Sequence, residues 1–569
     1  MKHYVLIILV FISSMLSSVS FSSVHVVRDH DDSIYNYVLS RYFIDSIEYI
    51  GAKHLLSDDD EYVNYSVVCE FINESGYYVL DSDYVFEFEE DSICIYINSS
   101  HVILDGGGHL IMNTGDERIG RYAVFVEEGV GNVTIMNLRI TNFAWGITLL
   151  GSNENIEIIN VSITESFGGI DLVIARDVRI LNSRFTYMDY DCIAFAGVEK
   201  LVIAGNSFTY CDTTGILTAS SWRSRDIEIY NNSFVMRRWT FWFGGVEFDA
   251  IIYAAAIWHA SSVKIHDNYV KNGVGFFLMD SDNLEIYNNT LGVYIYQRWG
   301  LRVDVRESRN VRIYGNRFLY KTWGIAIQNS TNVEIYGNVV RDSSIGIVLF
   351  RDSSYIYIYN NVFENNNYGI TLYTSVSNVY IYNNLFLSRK MNIEVRRAVD
   401  EDVDVPRNVY LNTTLKRGEN ILGGIWIGGN AWLYPNNTGF SQTCRDDEEP
   451  IGICDEPFIY SVNQTVLIDY LPLSLKKYVE TTTTNTTTTD TYSPVTTTTI
   501  SEYVSETESE NYVATETTSE TTSETRYETR ETETSSKLSM LFNITIAIIV
   551  VTVIITIVIG TYMKLTRTK

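Results

Sequence analysis

Proline is scarce. The chain of 569 residues has six, and the first is Pro406. About 400 residues without one suit long runs of backbone-paired strand, where proline would remove a ladder hydrogen bond. Positive charge is scarce too: 42 Lys and Arg stand against 70 Asp and Glu, a net charge of −28. A nucleic-acid binder needs a basic footprint, so nucleic acid is not an expected partner. Neither helical periodicity nor the Leu-x-x-Leu-x-Leu spacing of a leucine-rich repeat is present. Tyrosine (41) and phenylalanine (25) are abundant, which excludes global disorder.

The two ends point to export. Met1, Lys2 and His3 precede an apolar run, Tyr4 to Ile12, and then a small-residue stretch, Ser13 to Ser23. This pattern predicts a signal peptide over residues 1–23. Residues 541–562 are free of charge and long enough to span a bilayer as a helix, and Lys564, Arg567 and Lys569 follow. The positive flank predicts a cytoplasmic tail, 563–569, and a single-pass protein of the cell membrane with its N-terminal ectodomain outside. Residues 480–537 are mostly Thr, Ser and Glu. Such a segment cannot bury a core and reads as an extended, disordered, O-glycosylated stalk. Six cysteines in an exported chain suggest disulfides. Cys69, Cys94, Cys192, Cys211, Cys444 and Cys454 pair naturally as neighbours, although spacing leaves the connectivity open. Asn-x-Ser/Thr sequons, for example at Asn64, Asn73, Asn98 and Asn436, fit a surface glycoprotein.

The middle of the chain is periodic. Segments of the form Asn-Val-x-Ile-x-Asn/Gly-Asn begin at Asn132, Asn155, Asp177, Lys200, Asp226, Ser262, Asn283, Asn310, Asn332, Tyr355 and Asn378. A period near 22 residues with several short β-rich runs per unit predicts a solenoid. Alternation puts Val333 and Ile335 inside and Glu334 and Tyr336 outside. Eight residues into each unit stands a large apolar residue, as at Ile163, Phe208 and Phe363. Six residues into eight consecutive units stands Asn: 206, 232, 268, 289, 316, 338, 361 and 384. One residue type at one place in every turn predicts an inward ladder of amides bonded from coil to coil. The fold class expected is therefore all-β, a right-handed parallel β-helix over 76–427. It has an N-terminal cap at 24–75, which protects strand edges, and a closing segment at 428–479.

Residues Tyr77-Tyr78-Val79-Leu80-Asp81-Ser82-Asp83 and Val102-Ile103-Leu104-Asp105-Gly106-Gly107-Gly108-His109 resemble the first coil of NosD-type β-helix proteins. These sit within the carbohydrate-binding and sugar-hydrolase β-helices. Gly428-Gly429-Asn430-x-Trp432 and Tyr470-Leu471-Pro472-Leu473 resemble their closing segment. The likeness spans about residues 76–475. The namesake supports copper-site assembly, but the 8 His and 10 Met here form no ligand-spaced cluster.

Four regions could carry chemistry. Asp189 and Asp212 each lie three residues before a Gly-type position (Cys192 and Gly215) and are expected to stack; Asp191 stands between them, and Asp171 lies one coil earlier. Carboxylates this close raise one pKa, bind a cation, or cap turns beside a disulfide. Asp191-Cys192-Ile193-Ala194 also resembles part of a polygalacturonase motif. That likeness implies catalytic carboxylates, although Tyr190 and Thr214 replace the motif's first Asp and its His. The long unit at Asp226 inserts Arg237, Arg238, Trp239 and Trp242; with Trp258 these form a sugar-binding loop or a lid folded on the coil. Arg302, Asp304 and Arg306 share one strand face, as an anion grip or as ion pairs. Asp446, Asp447, Glu448 and Asp455 form an acidic loop between cysteines, able to hold calcium or simply closed by a disulfide. The expected role is structural or adhesive, contacting an extracellular glycan or a neighbouring surface protein. The alternative is a polysaccharide lyase or glycoside hydrolase.

Overall fold

The computed structural model describes residues 66–475, except 90, 116–117, 119, 219–221, 237–239, 244–245, 250–251, 293–302, 320–321, 398–404 and 463–464. These residues fall in one compact unit, Met1–Thr481, and the second unit, Thr482–Lys569, lies outside them. The expected signal peptide, stalk, membrane helix and tail therefore also lie outside the described residues. Among the described residues no helix is long and apolar enough to cross a membrane.

The chain is a parallel β-helix with three strands per turn. One turn runs through Ile345–Phe350 on the first face, Ser354–Tyr359 on the second and Val362–Glu364 on the third. Each strand pairs in parallel with its counterpart one turn on. Ile347 pairs with Ile370, Ile356 with Val379 and Phe363 with Phe386. The third face is a sheet of 14 short strands, one per turn. The ladder includes Ser66–Ile72, paired with Ser92–Ile97, so the solenoid begins ahead of the start expected at residue 76.

Side-chain alternation drives this winding. In Thr331–Tyr336, Val333 and Ile335 are fully buried while Glu334 and Tyr336 stay partly exposed. The third face contributes one inward ring or branched chain per turn. Phe185, Phe208 and Phe234 stack at 5.2 and 4.6 Å, and Phe363, Phe386 and Trp432 at 5.0 and 4.9 Å. Close coil stacking fixes the glycine that opens the first-face strand. A Cβ on Gly346 would meet the Gly369 carbonyl oxygen at 2.4 Å and the Phe363 ring at 2.7 Å. Corners need left-handed backbone, which Asn and Gly tolerate. Gly337, Asn360 and Asn383 precede the ladder asparagines with φ of 64°, 57° and 52°. This explains the Asn/Gly-Asn pair in each unit.

The amide ladder forms as expected. Each of the eight asparagines is no more than 2% exposed. Asn316 donates through Nδ2 to Asn338 Oδ1 at 3.0 Å, and its main-chain N–H donates to the same oxygen at 3.0 Å. The pattern repeats to Asn384, which donates to Asn430. The ladder then ends on Asp469, whose Oδ2 accepts from the Asn430 N–H and the Trp432 indole. An antiparallel hairpin, Phe458–Val462 with Thr465–Asp469, lays Tyr460 and Leu467 onto the end of the core. Three disulfides form, Cys69–Cys94, Cys192–Cys211 and Cys444–Cys454.

Candidate functional site

A solenoid of this kind offers only its outward side chains to a ligand. On the first face these form three regular rows, and they are unusually buried. One row runs Thr148, Asp171, Ala194, Leu217, Ala256, Phe277 and Asp304 from coil to coil. Leu217, Tyr253, Ala256, Trp258, Val274 and Phe277 make an apolar cluster separate from the interior core. Within these rows five buried polar atoms have no hydrogen-bond partner: Thr148 Oγ1, Asp171 Oδ2, Asp191 Oδ2, Trp258 Nε1 and Gln328 Oε1. Buried polar groups are normally paired, so their concentration on one side of one face marks this side out.

Asp171 and Asp191 are the strongest pair in these rows. Asp171 lies between the inward Ile170 and Leu172, so alternation turns it outward. Asp191 precedes Cys192, at the register where Tyr253 of the outer cluster stands two coils on. Its Oδ1 accepts from the Thr213 hydroxyl. Asp171 and Asp191 are 3% and 0% exposed. Burial pushes the Asp171 carboxyl up to about 7. Burial likewise pushes Asp191 up to about 7, against the lowering effect of its threonine hydrogen bonds, and the Asp171 charge adds to the rise. Two neighbouring carboxyls of this kind can hold one proton between them near neutral pH.

The other residues singled out by sequence divide differently. Asp189 and Asp212 do occupy one register, because Met188 pairs with Cys211. Asp189 is exposed and paired with Arg118, whereas Asp191 turns into the buried face, so the three do not form one patch. Cys192 takes the glycine position, as expected, since Ile170, Ile193 and Ile216 are in register. Trp258 is 5% exposed and packs edge-on to Phe277 at 6.0 Å, inside the outer cluster. Arg237, Arg238 and Trp239 lie outside the described residues. Trp242 is on Thr240–Phe243, which pairs antiparallel with Val246–Asp249 as a hairpin inserted in the coil. Arg302 is outside the described residues. Arg306 forms a two-pronged ion pair with Asp304, and both are buried. In the acidic loop, Asp446 accepts from the Gly452 N–H, and Asp455 accepts from the N–H groups of Asp447 and Glu448. Those carboxylates are thus engaged by main chain. Among the described residues no group of three or more His, Cys, Asp and Glu could hold a metal ion.

The second face was overlooked as a site in the sequence. Its outward residues form an aromatic stack: Tyr287, Tyr314, Tyr336, Tyr359 and Tyr382, with ring centroids 4.9 to 5.2 Å apart and planes within 6°. Tyr230 and His266 continue it at one end. Each ring's faces are taken by its neighbours, so the stack offers edges and hydroxyls rather than faces. Beside it a shallow cleft of about 250 Å³ is lined by Asn283, Asn310, Asn332, Glu285, Arg312 and Glu334. The Asn and Tyr that recur at the first and fifth positions of the unit were the available signal.

Residues 247–437 match the family described as periplasmic copper-binding protein (NosD), and residues 122–291 match the right handed beta helix region. All six cysteines are in disulfides, and the described residues hold no metal-binding cluster, so they do not fit a copper site. No curated protein matches the chain. Similar solved structures include the A-module of a mannuronan C-5 epimerase from Azotobacter vinelandii. It is 13% identical, with 59% of this chain and 90% of that chain covered and a TM-score of 0.38. Tailspike protein 3 of bacteriophage CBA120 is 11% identical over 68% of this chain and 60% of its own, with a TM-score of 0.32. A lacto-N-biosidase from Eubacterium ramulus is 11% identical over 58% and 61%, with a TM-score of 0.29.

Proposed function

Because the chain is a NosD-type right-handed parallel β-helix protein, we propose that it is a surface-displayed scaffold whose long side engages glycan chains. In this reading residues 541–562 anchor it in the cell membrane, 480–537 hold the solenoid away from the bilayer, and the role is structural or adhesive. The observation that carries the glycan part is the repetition of identical outward polar side chains, one per coil, on an accessible face. A row of Tyr hydroxyls and a row of Asn amides run along the axis at the spacing of the strands, about 4.8 Å. A linear polymer with a similar repeat meets the same chemistry at every step. The fold alone does not argue this, since one fold hosts many functions.

A second reading, a polysaccharide-cleaving enzyme, is favoured by one observation: Asp171 and Asp191 sit together outside the core with one unpartnered oxygen each. Their burial argues against it, because a glycosidic bond must reach the acid that protonates it. A glycan-binding screen of the purified protein, run beside product analysis on neutral and uronate polymers, separates the two. Binding without new reducing or unsaturated ends supports the scaffold. New ends that vanish in Asp191→Asn support the enzyme, and neither binding nor cleavage refutes both.

A further inference from the structure

Resting on the glycan-binding reading, we infer that the cleft at Asn283, Asn310 and Asn332 is the glycan site. Its ligand is a neutral, extended chain lying along the solenoid axis, not an acidic one.

Asn310 Nδ2 donates to Asn283 Oδ1 at 3.0 Å, and Asn332 Nδ2 donates to Asn310 Oδ1 at 2.7 Å. An amide carries two N–H donors and two acceptor lone pairs. The internal chain of bonds uses one of each on Asn310. Asn310 therefore keeps one donor and one acceptor, Asn283 keeps two donors and one acceptor, and Asn332 keeps one donor and two acceptors, so each of the three exposed residues retains at least one of each. A sugar hydroxyl is itself both donor and acceptor, so it satisfies both in one contact. A carboxylate can only accept, and it would leave the amide oxygen facing another oxygen.

Charge points the same way. The cleft's other wall has two carboxylates, Glu285 and Glu334, and one guanidinium, Arg312. Arg312 already donates to Glu285 at 2.6 Å. The wall is thus net negative, within a chain of net charge −28. An oligo-uronate would meet like charge, and among the described residues that line the cleft the one cation, Arg312, is already paired. A neutral chain finds hydroxyl partners on both walls. Tyr287, Tyr314 and Tyr336 are in register on adjacent coils, as the bonded Asn283, Asn310 and Asn332 are, so three consecutive sugars meet the same two kinds of group.

Backbone geometry explains part of the Asn usage and must be separated from binding. Asn283, Asn310 and Asn332 have φ of 56°, 56° and 57°, a conformation that favours Asn. The same corner is filled by Lys200, Ser262 and Tyr355 on other coils, with φ of 58°, 55° and 55°. The corner therefore does not require an amide. Glycine keeps the backbone at no steric cost and removes only the amide.

The test is calorimetric titration of the full-length chain in detergent with cellohexaose, chitohexaose and hexagalacturonate. The expected result is binding of a neutral hexamer and none of the uronate. In Asn310→Gly that binding should weaken by about tenfold or more, with the melting temperature kept. Asn155→Gly is the control: it removes the same amide, at φ 58°, from an exposed Asn pair outside the cleft. It should bind like wild type. Unchanged binding in Asn310→Gly overturns the site and leaves the glycan reading standing. Hexagalacturonate bound as tightly as the neutral chains overturns the ligand class. No binding of any of the three overturns this inference and the glycan reading together.

Discussion

Replacing Asn338 by leucine tests whether the inward amides hold the coils together. Asn338 is 1% exposed, and its side chain makes five hydrogen bonds. Its Nδ2 donates to the Ile313 and Tyr336 carbonyls at 2.8 and 3.1 Å and to Asn361 Oδ1 at 3.0 Å. Its Oδ1 accepts from the main-chain N–H and the Nδ2 of Asn316, both at 3.0 Å. Leucine fills the space but keeps none of these. The Asn316 N–H, deep in the solenoid, is then stranded, at about 1–3 kcal/mol. The Asn316 amide and the Ile313 carbonyl each lose a partner as well, which brings the expected cost to roughly 2–5 kcal/mol.

Thermal unfolding of the purified protein, followed by circular dichroism, reads this as a fall of several degrees in Tm. The comparison is Glu334→Gln, on the neighbouring outward position, which should stay within about 0.5 kcal/mol of wild type. Asn338→Asp sharpens the test. It keeps the two acceptor contacts from Asn316 but loses the donors, and an ionised carboxylate at this depth is costly. It should therefore destabilise more at pH 7 than at pH 4, relative to wild type at each pH. If Asn338→Leu melts with Glu334→Gln, the ladder adds nothing and the coils are held by the sheets and core alone.

Three further outcomes are expected. Asp171, Asp191 and Asp469 have carboxyls raised by burial to about 7, against about 3.9 unfolded. The folded state then binds more protons between about pH 4 and 7, so stability should fall as pH rises through that window, by up to about 4 kcal/mol per independent group. Asp171→Asn should flatten the fall in a pH series of melting curves, and an unchanged slope would show that this carboxyl does not titrate there. Removing the Cys192–Cys211 bond by a paired change to alanine should cost about 3 kcal/mol, since its ring closes 19 residues of chain; equal denaturant midpoints would contradict this. Protease added to intact cells should remove the ectodomain, and survival of the ectodomain with loss of only the 563–569 tail would reverse the proposed orientation.

The solenoid was legible in the sequence because each of its rules acts within one unit and repeats. Val333 and Ile335 alternate with Glu334 and Tyr336, Asn338 recurs inside every coil, and Gly346 opens the next face where a Cβ would strike the Gly369 carbonyl. The site was less legible, since period and alternation separate inward from outward but do not tell which outward positions are accessible. Asp189 and Asp191 are two residues apart and both off the core, yet one is exposed on Arg118 and the other is fully buried. Trp258 read equally well as a sugar platform or as part of a lid, and only its place in the outer apolar cluster decides for packing.

The conspicuous residues are not the ones that fit a ligand. Tryptophan, arginine and clustered aspartate attract notice because they are rare or charged. Here Arg306 is held by Asp304, Asp446 and Asp455 are held by main-chain N–H groups, and Trp258 is packed. What stays accessible and incompletely paired is the ordinary residue of the repeat, the corner asparagine, which looks structural because its φ is positive. A solenoid converts such a residue into a site through copying: one spare donor and acceptor is negligible alone, but three in register along an axis define a direction and a spacing. Loss of the middle one, Asn310, interrupts that run at its centre. Its removal should therefore weaken binding more than removal of Asn283 or Asn332 at either end, and equal losses at all three would argue against a chain lying across them.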